Sequence, residues 1–279
     1  MAQYNFKDKV AVITGAGSGI GEALARGLAA KGCHLALSDI NGEALEKVRD
    51  SLASNQIRIS THPGDVTAPD YAAQLLEGAK AVHGRVDAVI NNAGIAHSGT
   101  FEELEEDRFD RVMDINCNAP IRITRTFLSE FRAQGSGYIA NVASIFGLIA
   151  PPKQSAYSAS KFALRGFTEA LNHELVDDPD IHVSVILPGG VRTNIVSNVL
   201  KNEEIDEEIA AEMKDGFESF LTMPPSDAAA AIIKGLEKTK NRITFGPGSA
   251  MVKTIIRLFP DSYFKFLRRL SPEAGQEST

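Results

Sequence analysis

The sequence predicts an α/β fold: one doubly wound, mostly parallel, seven-stranded sheet of Rossmann-like type in a single domain. Three observations carry this. Short apolar runs alternate with helical patterns from residue 10 to residue 245. A glycine-rich turn joins the first strand to the first helix, and polar residues suited to chemistry recur at the strands' carboxyl ends. Strict β-α alternation calls for parallel strands with crossover helices on both faces, and right-handed crossovers make the winding double.

The elements follow in order. Val10–Thr14 reads as a buried strand, followed by a helix from about Ile20 to Lys31. His34–Asp39 is the second strand, with a helix near Gly42–Ser54, and Ile57–His62 the third, with a helix from about Asp70 to His83. Val86–Asn91 is the fourth, leading into a long helical region from about Glu105 to Arg132. Tyr138–Ala143 is the fifth, with a helix near Ala156–Val176, and His182–Leu187 the sixth. A helix over Asp227–Lys238, with Ser226 placed to cap it, precedes a weaker seventh strand at Arg242–Phe245.

Composition excludes several classes. The chain has 279 residues, 43% hydrophobic and 23% charged, which fits one globular domain. A net charge of −7 argues against a nucleic-acid partner, which needs a basic face. The N-terminal residues lack an apolar leader core, and no stretch is long and apolar enough to span a bilayer. Cys33 and Cys117 match no metal spacing and read as reduced core residues of a cytoplasmic protein, and the scattered histidines suggest no metal site.

Two regions break the rhythm. Residues 191–225 carry an acidic run from Glu203 to Asp215, and so long an insertion fits a lid, or a solvated acidic helix pair, or both. Residues 251–279 form a C-terminal extension whose first part mixes Phe259, Tyr263, Phe264 and Phe266 with Lys253, Arg257, Lys265, Arg268 and Arg269. Such a basic amphipathic segment can touch a membrane surface, cover the substrate mouth or meet another subunit; packing on protein is the favoured reading.

Thr14–Gly21 (TGAGSGIG) follows the first strand and opens the first helix. Gly15, Gly17, Gly19 and Gly21 let the backbone approach a pyrophosphate, and Ser18 and Ile20 begin a helix whose N–H groups and dipole favour the anion. Asp39, eighteen residues after Gly21, ends the second strand beside Ile40. A carboxylate there accepts bonds from a ribose 2′-hydroxyl and repels a 2′-phosphate, which favours NAD over NADP; Asp39 could equally start a turn toward Gly42.

Tyr157 and Lys161 are four apart on one helix and share a face. A phenol of pKa roughly 10 is a weak base near neutrality, and an adjacent ammonium favours its ionised form. Taken alone, the pair could be a packed tyrosine with a solvated lysine. Ser144 follows the fifth strand at its carboxyl end, where it could hold a substrate oxygen or simply make a turn.

In combination these segments resemble the classical short-chain dehydrogenase/reductase family over about residues 6–250: Thr14–Gly21, Asp65-Val66, Asn91-Asn92-Ala93-Gly94, Asn116, Ser144, Tyr157-x-x-x-Lys161 and Pro188-Gly189. The resemblance implies an oxidoreductase that moves a hydride between NAD(H) and an alcohol/ketone pair. It makes Tyr157 the general acid/base and Ser144 the group that polarises the substrate oxygen. Lys161 holds the nicotinamide ribose and lowers the Tyr157 pKa, and Asn116 interrupts its helix and holds a water that links Lys161 to solvent. It further implies that Asp65 and Val66 flank the adenine, that Asn92, Ala93 and Gly94 line the ribose, and that Pro188, Gly189, Val191 and Thr193 meet the nicotinamide end. Gly190 adds a second glycine to that loop. A homodimer or homotetramer built on paired helices is implied as well.

Ile145, Phe146, Leu148, Ile149 and Pro151 form an apolar stretch suited to a hydrophobic secondary alcohol or ketone, such as a lipid, a steroid-like or an aromatic compound; they could instead pack on the lid or a neighbouring subunit. Two rivals stand: an NADPH-dependent 3-oxoacyl-thioester reductase, which Asp39 disfavours, and a non-catalytic NAD-binding sensor or scaffold, which intact Ser144, Tyr157 and Lys161 disfavour.

Overall fold

The computed structural model describes residues 3–53, 56–193 and 221–270. Most of the expected lid, including its acidic run, and the end of the extension therefore lie outside the described residues.

The chain runs β1 (Val10–Thr14), α1 (Gly19–Ala29), β2 (His34–Asp39), α2 (Gly42–Ser51), β3 (Ile59–Pro63), α3 (Tyr71–His83), β4 (Ala88–Asn91), α4 (Glu106–Met113), a π-turn (Asp114–Asn118), α5 (Ala119–Gln134), β5 (Gly137–Val142), a short 3-10 turn (Ile145–Gly147), α6 (Ser155–Glu174), β6 (Ile181–Pro188), α7 (Pro225–Glu237), β7 (Arg242–Phe245), α8 (Ser249–Leu258) and α9 (Tyr263–Leu270). The sheet has seven strands in the order β3-β2-β1-β4-β5-β6-β7, every pair parallel. Winding reverses between β1 and β4, and the crevice above their carboxyl ends is where such a sheet takes a ligand.

The period-two alternation of the strands divides the core. Ala11, Ile13, Leu35, Leu37 and Ile90 face Leu24 and Leu28 of α1, Leu45 of α2 and Ile232 of α7. Val10, Val12, Ala36 and Val89 face the opposite layer, with Leu75 of α3, Phe127 and Phe131 of α5 and Leu171 of α6. A third cluster lies under the loop after β5: Ile145, Leu148 and Ile149 pack with Leu164, Val185, Leu187 and Val252 of α8. Cys33 and Cys117 are buried free thiols.

Several boundaries differ from the sequence expectation, each for a local reason. β3 starts two residues late because the Arg58 N–H is taken by His34 Nδ1 (3.0 Å). β4 starts at Ala88 because the buried Asp87 carboxylate itself accepts from Val10 N (2.9 Å), and it is ion-paired with Lys9 and Arg85. Ser226 does not cap α7: the helix begins at Pro225, whose missing N–H suits a first-turn position, and Ser226 lies inside that turn.

The expected helix from about Glu105 to Arg132 is three pieces. Ala119 N–H reaches back five residues to Asp114 O, which widens the turn around Asn116. Pro120 is the cause in the sequence. It has no N–H, so the Asn116 carbonyl lacks the donor four residues on that a regular helix supplies.

Candidate active site

The glycine-rich turn sits against the end of β4. Gly15 has φ +64°, and a Cβ there would lie 2.8 Å from Ala93 Cα. A Cβ on Gly21 would lie 1.9 Å from Gly15 O, so only glycine lets the first turn of α1 close onto the loop. Asn92 staples the two segments: its Nδ2 donates to Thr14 O (3.0 Å) and Gly15 O (3.1 Å). Thr14 Oγ1 in turn accepts from Asn92 N and Ala93 N. Ser18, ahead of α1, makes no side-chain cap, so the helix presents its first N–H groups without a competing side-chain acceptor.

The two Asp39 carboxylate oxygens have different partners. Oδ1 accepts from Asn41 N, which is the turn; Oδ2 accepts from Gly17 N at 2.9 Å, which aims the carboxylate at the phosphate loop. Ile40 is exposed beside it. Asp65 accepts from Thr67 N and Thr67 Oγ1, and these bonds hold its carboxyl below the usual range.

The crevice is a cavity of about 860 Å³. One wall carries Gly15, Ser18, Gly19, Ile20, Asp39, Ile40, Asp65 and Val66; the other carries Ser144, Tyr157, Lys161, Pro188, Val191 and Thr193, with Asn92, Ala93 and Gly94 between. Gly17 and Gly21 serve the packing of the turn. Gly189 lies behind the wall, its N–H bonded to Phe245 O, and Gly190, with φ +38°, takes its place on the surface. The two ends of the 191–225 insertion are pinned at a Val191–Met223 bridge, and Leu221 joins the wall.

Ser144 caps the 3-10 turn by accepting from Phe146 N (3.1 Å), and its hydroxyl bonds Tyr157. Lys161, one helical turn on, is 3% exposed; its Nζ donates to Val142 O (3.1 Å) and lies 5.6 Å from the Tyr157 ring centre. A Cβ on Gly94 would fall 3.4 Å from that Nζ and 3.0 Å from Asn116 Oδ1. Burial pushes the Tyr157 phenol up, against the Ser144 bond, and brings the Lys161 ammonium down to about 8. For Tyr157 desolvation outweighs the Ser144 bond in the protein by itself.

Asn116 stands behind this wall, fully buried. Its Oδ1 accepts from Ile95 N (2.9 Å), and its Nδ2 donates to Ile95 O (2.8 Å) and Ser160 Oγ (3.1 Å). Both polar ends of the side chain are thus engaged, and Pro120 removes the regular donor four residues on from its main-chain carbonyl. The sequence reading passed over Ser160 and Pro120, although the proline four residues after Asn116 was a visible signal. Ile95 and His97, which line the same cavity, carried no sequence signal.

The short chain dehydrogenase family profile matches residues 9–204. The chain belongs to the short-chain dehydrogenase/reductase family. This dehydrogenase/reductase is 37% identical over 260 residues to the Mycobacterium tuberculosis protein named as oxidoreductase SadH, covering 93% of this chain and 94% of that one. It is 32% identical over 288 residues to dehydrogenase/reductase SDR family member 7B of Danio rerio, covering 98% and 89%. Its fold is similar to that of a Burkholderia phymatum short chain dehydrogenase/reductase solved in complex with NAD, with a TM-score of 0.83, 27% identity and coverage of 91% and 96%. Levodione reductase has a TM-score of 0.78 at 28% identity, covering 87% of this chain and 98% of that one. The dehydrogenase/reductase is an oxidoreductase of this family with a Rossmann-like nicotinamide-cofactor crevice.

Proposed function

We propose that the protein interconverts a hydrophobic secondary alcohol and its ketone with NAD(H), using Tyr157 as general acid/base. The observation that carries this is the convergence of the Ser144 hydroxyl, the Tyr157 phenol and the Lys161 ammonium on one cavity, opposite the phosphate turn.

The residues present fit a dinucleotide. Gly15, Gly19 and the open N-terminus of α1 would hold the pyrophosphate, Asp39 the adenosine ribose hydroxyls, Asp65 and Val66 the adenine edge, and Lys161 the nicotinamide ribose. When bound, the cofactor supplies the hydride acceptor or donor. In the oxidative direction Tyr157 takes the proton of the substrate hydroxyl. Ser144 holds the same oxygen and steadies the charge that develops on it; because its Oγ already accepts from Phe146 N, its proton is directed away from the loop. Lys161 supports the phenolate electrostatically, and the onward proton path runs by the Asn116 carbonyl. Phe146, 6.0 Å from the Tyr157 ring in an edge-on pair, and Ile95 supply apolar walls for the substrate.

The preference for NAD rests on the Asp39 carboxylate, whose charge opposes a 2′-phosphate. We also read the chain as a homodimer or homotetramer, in keeping with the 40% exposed Phe162 on the outer face of α6; light scattering on the eluted peak checks this. The main test is Tyr157→Phe. Turnover over a panel of secondary alcohols should fall by at least about a hundredfold while NADH binding stays intact. Near-normal turnover with intact binding would remove Tyr157 from the mechanism. Equal or better turnover with NADPH in the wild type would remove the cofactor assignment.

A further inference from the structure

The C-terminal extension has two unlike faces. Inward, Val252, Ile256 and Tyr263 pack on the loop after β5, and Tyr263 Oη accepts from Ala150 N at 3.0 Å. Outward, α8 presents Met251, Lys253, Thr254, Arg257 and Leu258 to solvent, and Phe259 follows it. Leu258 is 64% exposed, and Met251 and Phe259 are each more than two-fifths exposed. Beside this face, Lys253 shares a cleft of about 290 Å³ with Lys234, Lys238, Lys240 and Arg242, at the free edge of β7. Arg257 stands one helical turn beyond Lys253. Arg242 is paired with Glu169, but among the described residues Lys234, Lys238, Lys240, Lys253 and Arg257 make no ion pair. Five cations without an ion pair among the described residues therefore gather on one flank of a chain whose net charge is −7, interleaved with large apolar side chains.

We infer that this flank binds the surface of an anionic phospholipid bilayer. Cations beside exposed leucine, methionine and phenylalanine suit the headgroup boundary, where apolar side chains enter the acyl region and ammonium groups stay among the phosphates. A second copy is a poor occupant, because a two-fold contact would set these lysines against their own counterparts. Arg242 on the edge strand and Lys240 just before it also discourage sheet-to-sheet pairing there. No helix among the described residues is long and apolar enough to cross a membrane, so the contact is peripheral. The same extension braces the substrate loop from inside, which puts the bilayer contact and the substrate wall on opposite faces of one short helix.

The test is flotation of the full-length protein with vesicles of phosphatidylcholine alone and of phosphatidylcholine with phosphatidylserine. Binding to the anionic vesicles alone, reversed by high salt, is expected. Lys253→Glu combined with Arg257→Glu should weaken it by at least about tenfold, and Leu258→Ser should weaken it with the charge intact. Lys253→Arg with Arg257→Lys should retain it. All variants should keep the wild-type circular dichroism, NADH binding and turnover, since none touches the crevice. Equal binding to both vesicle types, or undiminished binding of the charge-reversed variant, would overturn the inference. So would capture by inorganic phosphate in place of vesicles with no effect of Leu258→Ser, which would make the cleft a free-anion site.

Discussion

Lys161→Met should make the cofactor-free protein more stable at pH 7, although it removes a group central to the proposed chemistry. Lys161 is 3% exposed, and burial lowers its pKa from the usual 10.5 to about 8. A gap of this size corresponds to roughly 3 kcal/mol. The direction follows from proton counts. Below pH 8 the lysine is charged in both folded and unfolded chains, and the fold bears the whole penalty. Between about pH 8 and 10.5 the folded chain has released the proton and the unfolded chain still holds it, so stability rises with pH. Above 10.5 the amine is neutral in both states and the penalty is gone. Methionine keeps an unbranched side chain of similar length without the charge. Its better packing and the lost bond to Val142 O count about equally at any pH. The informative quantity is therefore the stability gap between variant and wild type, measured by denaturant unfolding at pH 7 and again near pH 11. The gap should shrink by about 3 kcal/mol between the two. A gap that does not change with pH, or a variant less stable at pH 7, would refute the account of Lys161 as a destabilising charge held in the crevice.

Three further outcomes are expected. Asp39→Ser should raise the NADPH-to-NADH ratio of kcat/KM by at least about tenfold in steady-state assays, because it removes the charge that opposes a 2′-phosphate. Asn116→Ala should lower stability by about 2–4 kcal/mol in urea unfolding, since it deletes three buried hydrogen bonds and leaves the Ile95 amide and carbonyl without those partners. Tyr263→Phe should lower stability by only about 1 kcal/mol while raising KM more than it lowers kcat, because it frees Ala150 N on the substrate loop.

The strands and the motif positions were legible because they rest on local signals. Short apolar runs mark β1, β2 and β5, and a glycine-rich stretch directly after a strand has few other uses. The third and fourth strands began later than expected because side chains from distant segments replaced ladder bonds: His34 at Arg58, and Asp87 at Val10. Nothing local announces such substitutions. The sense of the Tyr157 shift was also out of reach. Sequence spacing puts an ammonium near the phenol, but it does not say that both are desolvated together, and desolvation decides the sign. Which glycine of Pro188-Gly189-Gly190 faces the crevice likewise depends on β7, whose Phe245 carbonyl claims the Gly189 N–H.

The chain's own groups are arranged at some expense of stability around the crevice, and the pattern is consistent. The first turn of α1 has no side-chain cap. Lys161 carries three donors and, among the described residues, gives one to Val142 O. Tyr157 is pushed away from the ionised form its proposed role requires, and Asn116 is locked by three bonds while Pro120 denies its carbonyl the regular donor four residues on. Each feature alone is a defect in a folded domain. Together they call for one kind of ligand: an anion at the helix, hydroxyls at the ammonium, and a positive ring beside the phenol to reverse the shift that burial imposes. A fold that merely packed these residues would cap the helix and neutralise the lysine. Three of these exceptions line one 860 Å³ crevice and the fourth, at Asn116, stands behind its wall, a pattern that supports the proposed work on a dinucleotide and a substrate oxygen.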